Sequence, residues 1–167
     1  VVARTRAAMD ALVRMIAARE VSRQYLAIGH RGWPGAAMRE VNAPIGRDPV
    51  NRLRMAVVDL SRQPGKTAQT TFQCLDQNAE ACLVRCILHT GRTHQIRVHM
   101  AHIGHPLMAD ALYGGQAAVN MNRQALHAWR LAFTHPFTGQ PHVWKATLPQ
   151  DMAQALTLLG LRYNDSE

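Results

Sequence analysis

LHTGRTHQIRVHMAHIGHPLMADALYGG, from Leu88 to Gly115, is the densest polar constellation of the chain, and its reading decides how the rest is arranged. Five of the 9 histidines (His89, His94, His99, His102, His105) and two arginines (Arg92, Arg97) fall inside it, beside Gly91, Gly104, Pro106, Gly114 and Gly115. Leu83, Val84, Ile87 and Leu88 predict a strand running in, and Thr90 and Gly91 predict a turn. Thr93 is placed to cap a helix over about 94–103, which Gly104 ends. On that helix His94, Arg97 and Ala101 share a face, while Ile96, Met100 and Ile103 form an apolar stripe. An arginine one turn from a strand end, carried on its own helix, is suited to fixing a carboxylate or phosphate through two parallel N–H···O bonds.

Two other readings compete for these residues. Histidines are common zinc ligands, but the stretch offers no H-E-x-x-H, and the chain has no paired C-x-x-C. The spacing therefore argues against a metal. The plainer alternative is a polar helix whose histidines hydrogen-bond locally, which suits single residues better than the whole cluster.

TGRTHQIRVHMAHIGHPLMADALYGG closely resembles, without a gap, the signature of the RluA-type pseudouridine synthases, T-G-R-x-H-Q-I-R-V-H-x-A-x-x-G-H-P-x-x-G-D-x-x-Y-G. It departs at Ala109, where the family usually has Gly, and at Ala111, where it often has Pro; both bear on the shape of the turn after the helix. The resemblance continues on both sides. VSRQYLA (Val21 to Ala27) is similar to the family's V-x-R/K-x-Y-L-A, PIGR (Pro44 to Arg47) to its P-I-G-R, and RLRMAV and GKTAQT to the segments that follow. RQALHA (Arg123 to Ala128) resembles its third motif and PQDM its last helix, so the likeness extends to about Leu161.

The resemblance implies uridine isomerisation in RNA, most naturally large-subunit ribosomal RNA, with no cofactor. It assigns Arg97 to pairing with the nucleophilic aspartate, and Tyr25 to stacking on the target base and handling its proton. On residues alone, Tyr25 reads first as a half-buried strand tyrosine. RNA contacts are expected from Arg47, Arg54, Lys66, Arg92, His94, Gln95, Leu126 and His127, although Leu126 and His127 also suit ordinary packing and exposed cations are often merely solvated. The family's nucleophile lies in H-R-L-D-x-x-T-S-G, and none of the seven aspartates here (Asp10, Asp48, Asp59, Asp76, Asp110, Asp151, Asp165) has that context. The expectation is that it lies just upstream of Val1, and that these residues alone form an inactive part of a catalytic domain. A noncatalytic RNA-binding module is the alternative, and a zinc hydrolase built on the histidines a distant third.

Composition is consistent with this. The 167 residues, 47% apolar, suffice for one folded domain, residues 1–167, and no apolar run approaches the ~20 residues of a membrane span. No secretory signal is visible, and three cysteines (Cys74, Cys82, Cys86) without metal spacing suit a reducing cytoplasm. The net charge of +8 comes almost wholly from arginine, which binds phosphate and stacks on bases; a compositional bias toward arginine would look the same. We expect a monomer that binds RNA.

The remaining elements follow from periodicity. Val1 to Ala3 reads as the end of a strand. Thr5 caps a helix over about 6–19 with Ala8, Leu12, Met15 and Ile16 inward and an Asp10–Arg14 pair outside. Strands are expected within 21–30, 52–58, 67–75 and 81–88, the last two antiparallel, with a Gly/Pro-rich loop or hairpin insertion over 30–44. A polar connection over 116–123 leads to a hairpin formed by 123–139 and 142–146. Pro149 opens the final helix at its first position, with Met152, Leu156 and Leu159 inward. Alternating strand and helix signals of mixed order give an α+β fold, a mixed, mostly antiparallel sheet flanked by a few helices.

Overall fold

A computed structural model of the chain describes residues 1–117 and 121–164. The expected 116–123 connection therefore lies partly outside the described residues. Six strands form one sheet in the order β2-β5-β6-β1-β7-β8: β1 Ser22–His30, β2 Met38–Asn42, β5 Gln69–Gln77, β6 Ala81–Leu88, β7 Leu126–Thr134 and β8 Pro141–Lys145. β3 Ile45–Arg47 and β4 Met55–Val57 make a separate two-stranded ribbon. Each strand pairing among the described residues is antiparallel.

β1 is central, and its alternation distributes the core. Ala27 faces the cluster of Phe72, Cys82, Val84 and Cys86, closed by Ile96 and Met100 of α2 (Gln95–His102). Its neighbour Ile28 faces the opposite cluster, Leu83, Met108, Met152, Ala155 and Leu156, closed by α3 (Gln150–Leu158). Successive strand side chains point to opposite faces, so one strand serves two helices. Cys82 and Cys86 are free thiols packed in the first cluster; burial pushes Cys82 up to about 12 and raises Cys86 well above the ordinary thiol value, which leaves both unreactive. No described helix is long and apolar enough to cross a membrane.

Several expectations need correction. Thr5 does cap α1 (Arg6–Ala17), its hydroxyl accepting from Ala8 N–H at 3.2 Å, but Asp10 pairs with Arg6 (3.8 Å) rather than Arg14. Ala11 and Met15 are the buried positions of α1 and Ile16 is exposed, so the inward stripe is rotated from the one expected. Residues 1–3 form no strand. The 30–44 segment contains β2, an edge strand on β5 in which only Val41 is buried. The strand expected over 52–58 is reduced to β4 and pairs with β3 instead of joining the main sheet. Pro149 is the cap of α3, just outside its first turn, and Leu159 lies at the other cap.

Candidate active site

β5 and β6 end side by side, Thr70 opposite Leu88, and the chain then turns through Thr90 and Gly91 into α2. Gln95 locks this corner. Its Oε1 accepts from Thr90 Oγ1 (2.7 Å) and Arg92 N–H (2.9 Å), and its Nε2 donates to Gln69 O and Thr70 Oγ1, both at 2.9 Å. Being buried with both ends of its amide engaged, Gln95 organises the site instead of offering a free group to RNA. Arg92 is tied by Nε to the carbonyl of Thr67 at 2.9 Å. The cap of α2 is not Thr93: His94 occupies that position in a left-handed conformation, φ 57°, with no side-chain cap. Gln95 instead ties the turn before the helix to its first residue, through the bond from Arg92 N–H.

The five histidines separate once placed. His99 is fully buried; its Nε2–H must donate to the carbonyl of Ala43 (2.9 Å), so its Nδ1 accepts from the Thr70 hydroxyl (2.9 Å). Burial lowers its pKa. His105 donates through Nδ1 to the His30 carbonyl at 3.1 Å, and His89 bonds the Thr71 hydroxyl at 2.8 Å. These are the locally bonded histidines of the plainer reading. No cluster of three or more His, Cys, Asp or Glu side chains suited to a metal occurs among the described residues.

His94 and Arg97 are different, because both meet the turn that follows α2. Arg97 makes two bonds of 2.7 Å to Asp110, Nε to Oδ2 and Nη2 to Oδ1. The Asp110 side chain is only 1% exposed and that of Arg97 13%. Asp110 hydrogen bonds hold the guanidinium more firmly protonated than usual. The Tyr113 ring lies beneath it, 4.7 Å from the guanidinium carbon to the ring centroid, and the Tyr113 hydroxyl meets His94 Nδ1 at 2.8 Å and Met55 N–H at 3.0 Å. Asp110 and Tyr113 flank a short 3-10 turn, Ala111–Tyr113, closed by bonds from Tyr113 N–H and Gly115 N–H to the Asp110 carbonyl, 3.0 and 2.9 Å. Gly115 must be glycine, since a Cβ would collide with the Leu107 carbonyl. Ala109, where the resembled family has Gly, has φ 57°. That explains the family's preference, as left-handed backbone favours glycine.

The sequence reading gave neither Asp110 nor Tyr113 a role in the site. The signal was present in D-x-x-Y, whose spacing sets both residues on one turn, but only the fold brings that turn across Arg97.

The β3–β4 ribbon packs on α2 through β4 and carries Arg47 and Arg54. Arg54 is held by Asp48 at 2.5 Å; bonds from Asn51 N–H, the Arg54 side chain and Val50 N–H keep the Asp48 carboxyl at about 2. Arg47 bonds the Arg52 carbonyl at 3.4 Å and is close enough to His94 to disfavour its charging. Lys66 pairs by its backbone with Ile45. On the other side, Tyr25 packs against the cluster containing Ile96 and Met100, and also lines an apolar groove of about 570 Å³ between α1 and β1, β7 and β8. Leu126 packs on the same cluster, and His127 Nε2 meets the Ala146 carbonyl at 3.3 Å. The fold thus gathers His94, Arg97, Asp110 and Tyr113 under the ribbon arginines, while Tyr25 and Leu126 pack on the same core from the sheet and His127, paired with Leu26, lies on the sheet's other face. Among the described residues the Arg97 hydrogen-bond network does not reach Tyr25.

The profile of the RNA pseudouridylate synthase family matches residues 1–102. The chain is 46% identical over 166 residues to "Ribosomal large subunit pseudouridine synthase D" of Nitrosomonas europaea, covering 93% of this chain and 46% of that protein. It is 43% identical over 155 residues to "Uncharacterized RNA pseudouridine synthase YlyB" of Bacillus subtilis, covering 93% and 50%. The chain therefore spans about half the length of the curated relatives it matches. Human RNA Pseudouridylate Synthase Domain Containing 1 superposes with a TM-score of 0.71 at 26% identity over 87% of this chain and 62% of that one. Human RNA Pseudouridylate Synthase Domain Containing 4 shares the fold, with a TM-score of 0.75 at 20% identity over 96% and 70%. From the profile match and these relatives, the chain belongs to the RNA pseudouridylate synthase family, in its RluA-type branch.

Proposed function

We propose that the protein carrying this chain isomerises uridine to pseudouridine in RNA, with large-subunit ribosomal RNA as the substrate class. The reaction breaks the C1′–N1 bond, turns the uracil and rejoins it through C5, and the chain's residues suggest how each need is met. The observation that carries the reading is the Arg97 guanidinium, mostly buried and held rigid by Asp110 and the Tyr113 ring. An arginine has five N–H donors and Asp110 uses two, so three remain for a second anion. A carboxylate fixed there would be aimed and kept ionised, as a nucleophile or base must be. In this reading that carboxylate belongs to the family's H-R-L-D-x-x-T-S-G motif, which these 167 residues do not contain. They form part of a catalytic domain and are inactive alone.

Tyr25 then supports the extruded base and assists proton removal from C5, while Arg47, Arg54, Lys66 and Arg92 grip phosphates with Leu126 and His127 beside the cleft. His94 meets the RNA as well. The excess of arginine and the relatives' printed names support an RNA partner; a cytoplasmic, monomeric protein working without cofactor belongs to the same proposal. The test is to express the product of the whole gene, incubate it with unmodified large-subunit ribosomal RNA, and map pseudouridine by mass spectrometry. New pseudouridine is the expected result. RNA that is bound yet unmodified would overturn the catalytic reading in favour of a noncatalytic RNA clamp.

A further inference from the structure

The hydrogen bonds around Tyr113 determine where the His94 proton lies. A phenol has one hydrogen to give. The Met55 N–H, which can only donate, points at the Tyr113 oxygen at 3.0 Å and occupies a lone pair. Among the described residues His94 Nδ1, at 2.8 Å, is the one acceptor within reach of the phenolic hydrogen, so the hydrogen is assigned to that bond with Nδ1 accepting. A neutral imidazole that accepts at Nδ1 carries its hydrogen on Nε2. Partial burial, then the nearby Arg97 and Arg47, disfavour the imidazolium. The edge-on ring contact with Tyr113, 5.7 Å between centroids at 84°, fixes the plane of the imidazole.

The backbone points the same way. His94 is a non-glycine residue with φ 57° at the start of α2, where an ordinary helix would carry an extended capping residue. Such conformations persist where the surroundings over-determine them, and they gather at functional sites. Here the surroundings are Tyr113 and the ribbon residue Met55. No partner for His94 Nε2 occurs among the described residues.

Resting on the RNA reading above, we propose that His94 donates its Nε2–H to the C4 carbonyl of the target uracil, and that Tyr113 is the positioning residue that sets this tautomer. A neutral single donor beside Arg97 and Arg47 is suited to a neutral acceptor, because the guanidinium groups serve the anions. Uracil and cytosine differ at C4: the first presents an oxygen acceptor, the second an amino donor. An N–H aimed at that position accepts uridine and leaves a donor facing a donor with cytidine, which is costly in a site with little water. His94 is then the residue that selects the base.

The test has two arms on the 167-residue chain. Long-range nitrogen–proton NMR of ¹⁵N-labelled protein at pH 7 is expected to show His94 neutral with the hydrogen on Nε2, and Tyr113→Phe to give a mixture of tautomers. Binding is read with a short single-stranded RNA carrying one uridine and with the same RNA carrying cytidine there. Wild type should prefer uridine by about tenfold, the worth of roughly one good hydrogen bond. His94→Ala should bring the ratio to within about twofold, His94→Asn should restore part of it, and Arg47→Ala, which removes a phosphate contact, should weaken both RNAs alike. A hydrogen on Nδ1, a charged imidazole at pH 7, or an unchanged preference in His94→Ala would overturn the proposal. If the tautomer is as expected but wild type binds neither RNA, the RNA reading itself fails, a result distinct from loss of selectivity alone.

Discussion

Asp110→Asn is the change whose cost the geometry sets most closely. The substitution keeps the shape and one acceptor oxygen but turns the other oxygen into an amide that faces an arginine N–H. Both partners are nearly out of water, with side-chain exposures of 13% and 1%, and both bonds are 2.7 Å. Breaking one side of a buried ion pair costs about 3–5 kcal/mol. The retained oxygen returns roughly 1.5 kcal/mol of charge-assisted hydrogen bonding, which leaves a net loss of about 1.5–3.5 kcal/mol. For a domain of this size that corresponds to a fall in Tm of roughly 3–14 °C. The assay is urea unfolding by circular dichroism on wild type, Asp110→Asn, Arg97→Gln and the double variant. The midpoint should fall with an unchanged slope, and the cycle should give a coupling of about 2 kcal/mol. Two single effects that add to within about 0.5 kcal/mol would refute the claim that these residues hold one another.

Other expectations follow from neighbouring features. Ala109 has φ 57°, where a Cβ costs roughly 1–2 kcal/mol, so Ala109→Gly should stabilise the chain by about 0.5–1 kcal/mol after glycine's entropic penalty; a lower urea midpoint would contradict this. His99 is held neutral by burial, its folded pKa lying below the ordinary 6.5. Between those two values the unfolded chain binds the extra proton, so this contribution is whole above pH 6.5 and is lost as pH falls below it toward the folded pKa. Urea midpoints from pH 8 to 5 should show that decline, and His99→Gln should flatten it at a cost of about 2 kcal/mol from the broken contacts to Ala43 and Thr70. An equally steep decline in the variant would assign it to other groups.

The parts of the fold that sequence made legible are those where local and tertiary preferences agree. Thr5 is a strong cap and Ala11 and Met15 lie on one helical face, so α1 was readable although its tilt was not. β5 and β6 alternate around a turn that Asn78 organises, and β7 and β8 flank Pro136 and Gly139. β2 was hidden because it sits at the sheet edge and buries only Val41, so it carries no alternation; backbone pairing with β5 makes it a strand. The start of α2 misled in another way: Thr93 is a good capping residue, yet Gln95 satisfies the corner from within and His94 takes the left-handed position. Arg97 was legible as an anion-binding residue. Its partner Asp110, thirteen positions on, was not, because nothing local says that the 3-10 turn folds back over α2.

The most direct test of the central claim uses the whole gene product and its Arg97→Lys variant on ribosomal RNA tritiated at C5 of uridine, with tritium release followed under single-turnover conditions. Lysine keeps the charge but loses the planar fork that grips Asp110 and a second carboxylate together. The account predicts release by wild type and a rate at least ~10²-fold lower in the variant, with RNA binding retained. Equal rates in the two proteins would contradict it.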